Sequence, residues 1–249
     1  MTRSALIIAA FLLSACSGPF GKPRVTTPYK FGDKGDLVDF NYAWSAEASA
    51  IPALEKHFRA QLDKAWREEL AAATADRASA AAAKRNYAGH QFSFDWNTAG
   101  RARRLLSLEG LSSTLTGDLH PSHGSAALLW DRGRGAIVTP SALLTAPARL
   151  SALLHADFCK GLARERAKRR AVTPRDAVAR PCPAIGKVTL VPSDTNANAR
   201  FDALRLTADH DVAGSYAEGV YLVVLPVTRA FIAALKPVYR SSFEVAQPQ

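Results

Sequence analysis

Val38, Phe40, Tyr42 and Trp44 alternate with Asp39, Asn41, Ala43 and Ser45, and an apolar helical stripe follows within a few residues. The alternation is a strand with one strongly apolar face. Ile51, Leu54, Phe58, Leu62, Trp66 and Leu70 recur at spacings of three and four, which makes one buried face of a long helix. Ser49 is the expected N-cap, and Pro52 sits in the first turn, where its missing N–H costs nothing. A one-sided strand next to a one-sided helix must bury both faces together. Beyond Leu70 the stripe thins to alanines as far as Lys84 and Arg85, so the second half of the helix is expected to pack shallowly or to project.

The rest of the chain is mostly strand. Phe92, Phe94 and Trp96 alternate, and residues 111–116 mix leucine with serine and threonine, as an exposed strand does. Leu128 to Trp130 and Ala136 to Val138 flank Asp131-Arg132-Gly133-Arg134-Gly135, a hairpin in which glycine supplies positive φ. A second helix is expected over 147–169, with Leu150, Leu153, Leu154, Phe158 and Leu162 on one face. Strands are expected over 188–191, 201–207 and 220–227, then a short helix over 229–235. Strands and helices mix without strict alternation. The expected fold is therefore α+β, with antiparallel sheets packed against one long and one medium helix. The expected division is a leader over 1–15, a tether rich in Gly and Pro over 16–35, an N-terminal α+β domain over 36–144, a C-terminal α+β domain over 145–240 sharing its core, and a tail over 241–249.

The N-terminus carries Arg3, an apolar run from Ala5 to Leu13, and Leu13-Ser14-Ala15-Cys16. The run is too short to span a bilayer, which needs about 20 residues. Charged start, apolar middle and small-residue cleavage site make a secretory signal. The last four residues resemble the lipobox of bacterial lipoproteins. That resemblance implies acylation of Cys16, loss of residues 1–15 and a membrane-held protein; Ser17 rather than Asp implies sorting to the outer membrane, on its periplasmic face. The alternative is an ordinary cleaved signal with an incidental cysteine.

The chain has 249 residues and a formal charge of +10, which loss of Arg3 lowers by one. Such a surface attracts anions: lipid headgroups, lipopolysaccharide or peptidoglycan carboxylates. Nucleic acid would be in the wrong compartment. Cys159 and Cys182 remain as a pair in an oxidising compartment, and a disulfide is expected. One buried and one exposed thiol is the alternative.

Further segments resemble a known pair of domains of unknown function. These form the extracellular part of the lysozyme-sensing anti-sigma factor of Gram-positive bacteria and precede the catalytic domain of a peptidoglycan deacetylase. The segments are Val38 to Pro52, Thr116-Gly117-Asp118-Leu119-His120, Ser141-Ala142-Leu143-Leu144, and Tyr216-Ala217-Glu218-Gly219 with Leu225-Pro226-Val227. The resemblance covers about residues 36–240. The chain differs in lacking an anti-sigma segment and a deacetylase domain, and Asp118 stands where the family has glycine. Lysozyme recognition belongs to the sensor branch and is not carried over.

Asp118, His120 and His123 are legitimate zinc ligands, but their segment reads as a turn, and the resemblance implies that His120 hydrogen-bonds the turn backbone. Asp194 to Asn198 hints at a calcium loop without its glycine and glutamate, since Ala199 and Arg205 stand there. A solvated hairpin fits better. Asp209-His210-Asp211 reads as a polar turn. No Gly-x-Ser-x-Gly elbow, Walker loop or recognisable pair of carboxylates occurs. No catalytic residue, metal ligand or cofactor is assigned.

The strongest binding candidate is the segment 160–180. Lys160, Arg164, Arg166, Lys168, Arg169, Arg170, Arg175 and Arg180 stand against Glu165 and Asp176, a net +6. It reads either as a solvated helix end, where cations suit the dipole, or as a surface for an anionic polymer or membrane. For the second reading the contact residues are Lys160, Arg164, Arg166, Lys168, Arg169 and Arg170. The expected function is a non-enzymatic binding or sensing role in the envelope. Its partners are the membrane, through the lipid, and peptidoglycan, lipopolysaccharide or an envelope protein. A peptidoglycan-acting enzyme or accessory, and a lysozyme-binding inhibitor, are the alternatives. A basic surface disfavours the last, because common animal lysozymes are also basic.

Overall fold

The computed structural model describes residues 27–117, 120–170 and 180–247. The fold is mixed α+β with largely antiparallel sheets. Strand β1 (Tyr29–Lys34) leads into β2 (Val38–Trp44), a short α1 (Ala46–Ser49) and the long α2 (Pro52–Ala82). Strands β3 (His90–Arg101), β4 (Leu105–Thr116), β5 (Ser122–Asp131) and β6 (Ala136–Val138) follow. Helix α3 (Leu150–Arg170) precedes β7 (Thr189–Ser193), β8 (Ala203–Ala208) and β9 (Tyr221–Pro226), and α4 (Arg229–Ala234) and α5 (Pro237–Arg240) close the chain. The first six strands form one sheet in chain order, and the last three form a second.

Three expectations need correction. Residues 29–34, placed in the tether, are a strand paired antiparallel with β2. Their only strong apolar side chains are Tyr29, stacked on Trp44 at 4.0 Å, and Phe31, edge-on to Phe40 and Trp66. Flanking glycines and lysines hide that short alternation. Ser49 does not cap the long helix. Ser45 caps α1 instead, Ser49 ends it, and Ile51 is held extended before Pro52, as the residue before a proline must be. Finally, β2 and β3 pair parallel, because α2 carries the chain back across the sheet.

Among the described residues, two apolar clusters form the interior. In the first, Val38, Phe40, Tyr42 and Trp44 of β2 meet Leu54, Phe58 and Leu62 of α2, with Trp96, Leu106 and Leu108. The alanine-rich half of α2 stays on the sheet. Ala73 and Ala80 are buried, and Glu69 and Asp76 take the two ring nitrogens of buried His90, at 2.6 Å and 2.9 Å. In the second cluster, Leu154, Phe158 and Leu162 of α3 pack on Leu204, Leu206, Tyr221 and Val223, together with Leu105, Leu129 and Phe231.

The expected hairpin over 128–138 is present. Its corner, Asp131, is fully buried. Tyr239 donates to its Oδ2 at 2.8 Å and Gly133 N–H to its Oδ1 at 2.9 Å, while Arg104 Nη2 donates to Oδ2 at 3.2 Å. Burial pushes this carboxyl up, but the bonds from Tyr239, Arg104 and Gly133 together outweigh burial and hold it below its ordinary value. A lowered folded-state pKa gives stability that is present above the unfolded-state value of about 3.9 and lost as pH falls through the folded value. Asp131→Asn should therefore cost about 3 kcal/mol at neutral pH. The gap from wild type should narrow as pH drops from about 5 to about 2. Urea unfolding of both proteins across that range checks this; a constant gap would mean the charge of Asp131 does not supply the stability.

Candidate functional site

Helix α3 carries the basic segment, and its two sides have different fates. One face packs on β9 so closely that Gly161 is required: a Cβ there would lie 2.4 Å from Val223 Cγ1. Cys159 on this helix is bridged to Cys182, with Cα atoms 5.7 Å apart and a separation of 23 residues. The bridge holds the two ends of the basic segment together, as expected. Residues 171–179, including Arg175, lie outside the described residues, as does the side chain of Arg170.

The arginines expected to present a free basic surface do not all do so. Arg169 donates to the carbonyls of Glu218 and, at 2.6 Å, Val220, with its guanidinium 4.0 Å above the Tyr221 ring. Those carbonyls flank Gly219, which turns the chain at φ 74°. Tyr221 donates to Glu218 at 2.6 Å, and this bond together with that from Ser215 N–H holds the Glu218 carboxyl below its ordinary value. Arg166 donates its Nε to Ala213 O at 3.1 Å and reaches Pro181 O at 3.4 Å. Both arginines are therefore ties between the end of α3 and irregular backbone. A planar fork can serve two carbonyls at once, which explains the choice of arginine. Lys168 is paired with Glu165 at 2.6 Å, and Arg180 with Asp211 at 3.4 Å.

Two of the candidate cations remain at the surface beside a cavity. Lys160 is exposed and makes a 3.4 Å pair with exposed Asp157. Arg164 is exposed and has no hydrogen bond or ion pair among the described residues. Both line a cavity of about 240 Å³ between α3, β9 and α4, walled by Leu153, Leu154, Leu204, Val223, Leu225 and Phe231. A larger groove of about 560 Å³, lined by residues such as Pro140, Pro147, Leu150 and Ile185, has no charged side chain but Ser141, Ser151 and Thr189 along its walls.

The other described candidates contact side chains or backbone around them. Asp118 lies outside the described residues. His120 and His210 both lie against Tyr216, at 5.8 Å and 4.5 Å between rings, and His123 lies 5.6 Å from His210. Asp209, read as part of a turn, accepts the Ser125 N–H and hydroxyl at 3.0 Å and 2.7 Å and so joins the two sheets. Asp194 spends its carboxylate on the N–H groups of Asn198 and Ala199, the closed hairpin expected there. Sequence reasoning missed the His90 and Asp131 clusters. Their partners are distant in the chain, and only the buried register brings them together.

No protein-family model matches the sequence, and neither does any curated protein. The fold does match solved structures. A DUF3298 family protein from Pseudomonas aeruginosa PAO1 aligns over 88% of this chain and 96% of its own, with TM-score 0.52 and 13% identity. A DUF3298 member from Bacteroides fragilis NCTC 9343 aligns over 86% of this chain and 95% of its own, with TM-score 0.54 and 12% identity. The chain therefore shares its fold with proteins built on a domain of unknown function.

The division among the arginines can be tested. Arg169→Ser and Arg166→Ser should each lower stability by about 1–3 kcal/mol, because each leaves carbonyls unpaired. Arg164→Ser should change it by less than about 0.5 kcal/mol. Thermal unfolding of the three variants checks the order. Reduction of the bridge should cost a further ~3 kcal/mol, from the loop it closes.

Proposed function

We propose that this protein is an outer-membrane lipoprotein, anchored through Cys16 and facing the periplasm, which binds an anionic envelope component without catalysis. The observation that carries the reading is Arg164, an exposed guanidinium with no partner among the described residues, beside Lys160 at the mouth of a cavity. A charge of this kind is available without breaking an internal bond, so an anion has only its desolvation and ordering to offset. The +10 formal charge supports the reading by drawing anionic polymers toward the surface. The likeness of residues 36–240 to the extracellular region of the lysozyme-sensing anti-sigma factor, and to the N-terminal region of a peptidoglycan deacetylase, supports an envelope setting and is part of the same proposal. Peptidoglycan and lipopolysaccharide are the candidate partners.

The contact set is narrower than composition implies. Arg166 and Arg169 are committed to backbone carbonyls, and among the described cations of α3 it is Lys160 and Arg164 that line the cavity, so these two are the proposed binding pair. Sedimentation with purified peptidoglycan and with lipopolysaccharide tests this. Wild type should pellet with at least one of them at low salt and release as salt rises, because exposed charges are screened over about 8 Å at physiological ionic strength. The double variant Lys160→Ser, Arg164→Ser should keep its fold and lose most of that binding. Equal pelleting of both proteins would overturn the reading. For the anchor, Cys16→Ala should move the protein from the membrane fraction to the soluble periplasm of a Gram-negative host.

A further inference from the structure

We infer that the cavity between α3, β9 and α4 takes the alkyl chain of a single-chain anionic amphiphile, whose charged head pairs with Arg164 and Lys160. This rests on the anionic-ligand reading above and names the chemistry of its ligand. The argument begins with helix spacing. Leu153, Asp157, Lys160 and Arg164 follow one another at four, three and four residues, so they lie along one stripe of α3. The stripe changes character along its length: apolar at Leu153 and Leu154, charged from Asp157 onward. Leu153 and Arg164 are about 16 Å apart along the axis.

The opposite wall keeps the same polarity. Phe231 and Leu204 are buried apolar side chains, and Val223 and Leu225 present the buried side of β9. Gly161 and Val223 bring helix and strand into contact and narrow the space. A cavity of about 240 Å³ is thus apolar over most of its walls and cationic at one rim. Asp157 sits on that rim as well, 3.4 Å from Lys160, but two cations against one carboxylate leave the balance positive. An inorganic anion would use the rim and leave the walls empty. A neutral lipid would use the walls and leave Arg164 unpaired. A tail with an anionic head satisfies both.

Calorimetry with dodecyl phosphate below its micelle concentration tests the inference, with the full folded chain. Dodecyl phosphate should bind. Butyl phosphate, which has the head but little tail, and dodecyl maltoside, which has the tail without charge, should each bind at least about tenfold more weakly. Each pair of methylenes added between butyl and dodecyl phosphate should tighten the dissociation constant by about tenfold until the cavity is full. Arg164→Ser should weaken dodecyl phosphate by about tenfold or more, with Arg164→Lys recovering part of the loss. Leu153→Gln, at a half-buried wall position, should flatten the chain-length dependence while leaving butyl phosphate unchanged. Affinity independent of chain length, or unchanged by Arg164→Ser, would overturn the inference. The two proposals fail separately. Pelleting with polymers that depends on Arg164, without binding of dodecyl phosphate, leaves the surface reading and removes the cavity ligand. Binding of dodecyl phosphate in the cavity, without polymer pelleting, does the reverse.

Discussion

Two adjacent strands each serve two interiors, and the remaining architecture follows from their register. Leu105 of β4 faces the cluster built on α3, while Leu106 and Leu108 face the cluster built on α2. Leu129 and its neighbours Leu128 and Trp130 repeat the division on β5. The period of two in a strand permits this, because neighbouring side chains point to opposite faces. The same period makes it unforgiving. A slip of one residue would exchange every side chain between the two interiors. Side chains buried on both faces therefore fix β4 and β5 more firmly than a sheet with one wet face would be fixed.

The ends of this shared region are closed by polar groups. At one end Asp131 gathers Arg104, Tyr239 and the turn N–H of Gly133, so the hairpin corner, the start of β4 and α5 meet at one carboxylate. At β3 the register shifts between Thr98 and Gly100, and the loop after β7 lands there, with Asp194 N–H donating to Ala99 O at 3.1 Å. Gly100 admits that loop, since a Cβ would lie 2.7 Å from Asp194 N. Buried carboxylates and close backbone approaches are costly unless fully partnered. Their presence at the junctions fixes how the second sheet sits on the first.

Local patterns were legible because they depend on neighbours in sequence. The alternation in β2, the stripe of α2, the glycine hairpin and the three later strands all appear where periodicity puts them. What failed depends on partners far along the chain. Tyr29 and Phe31 make a strand only because Trp44, Phe40 and Trp66 cover them. The parallel pairing of β2 and β3 follows from the return path of α2, which no local pattern records. Arg166 and Arg169 count as positive charge in any composition, yet their partners are carbonyls at residues 213, 218 and 220. Backbone acceptors carry no signature in side-chain sequence, so a basic run overstates the charge that is free. The cysteine pair was legible because Cys159 and Cys182 are the two cysteines of the sequence beyond residue 16, which leaves one pairing between them.

The separation of structural from available charge also governs how this surface can be dissected. A helix C-terminus has orphan carbonyls and a negative dipole end, so cations gather there for reasons unrelated to any ligand. In α3 the described arginines of the last turns, Arg166 and Arg169, are withdrawn into loop carbonyls, whereas Lys160 and Arg164 sit a turn or more before the end. Their position fits neither the orphan carbonyls nor the loops. What they do adjoin is the narrowing between helix and β9 set by Gly161. Substituting the whole basic run would unfasten the turn at Gly219 together with any ligand contact, and a loss of binding would then say nothing about charge. Substituting Arg164 alone changes charge at a position from which no described backbone hangs, so its effect on binding reads the ligand contact itself.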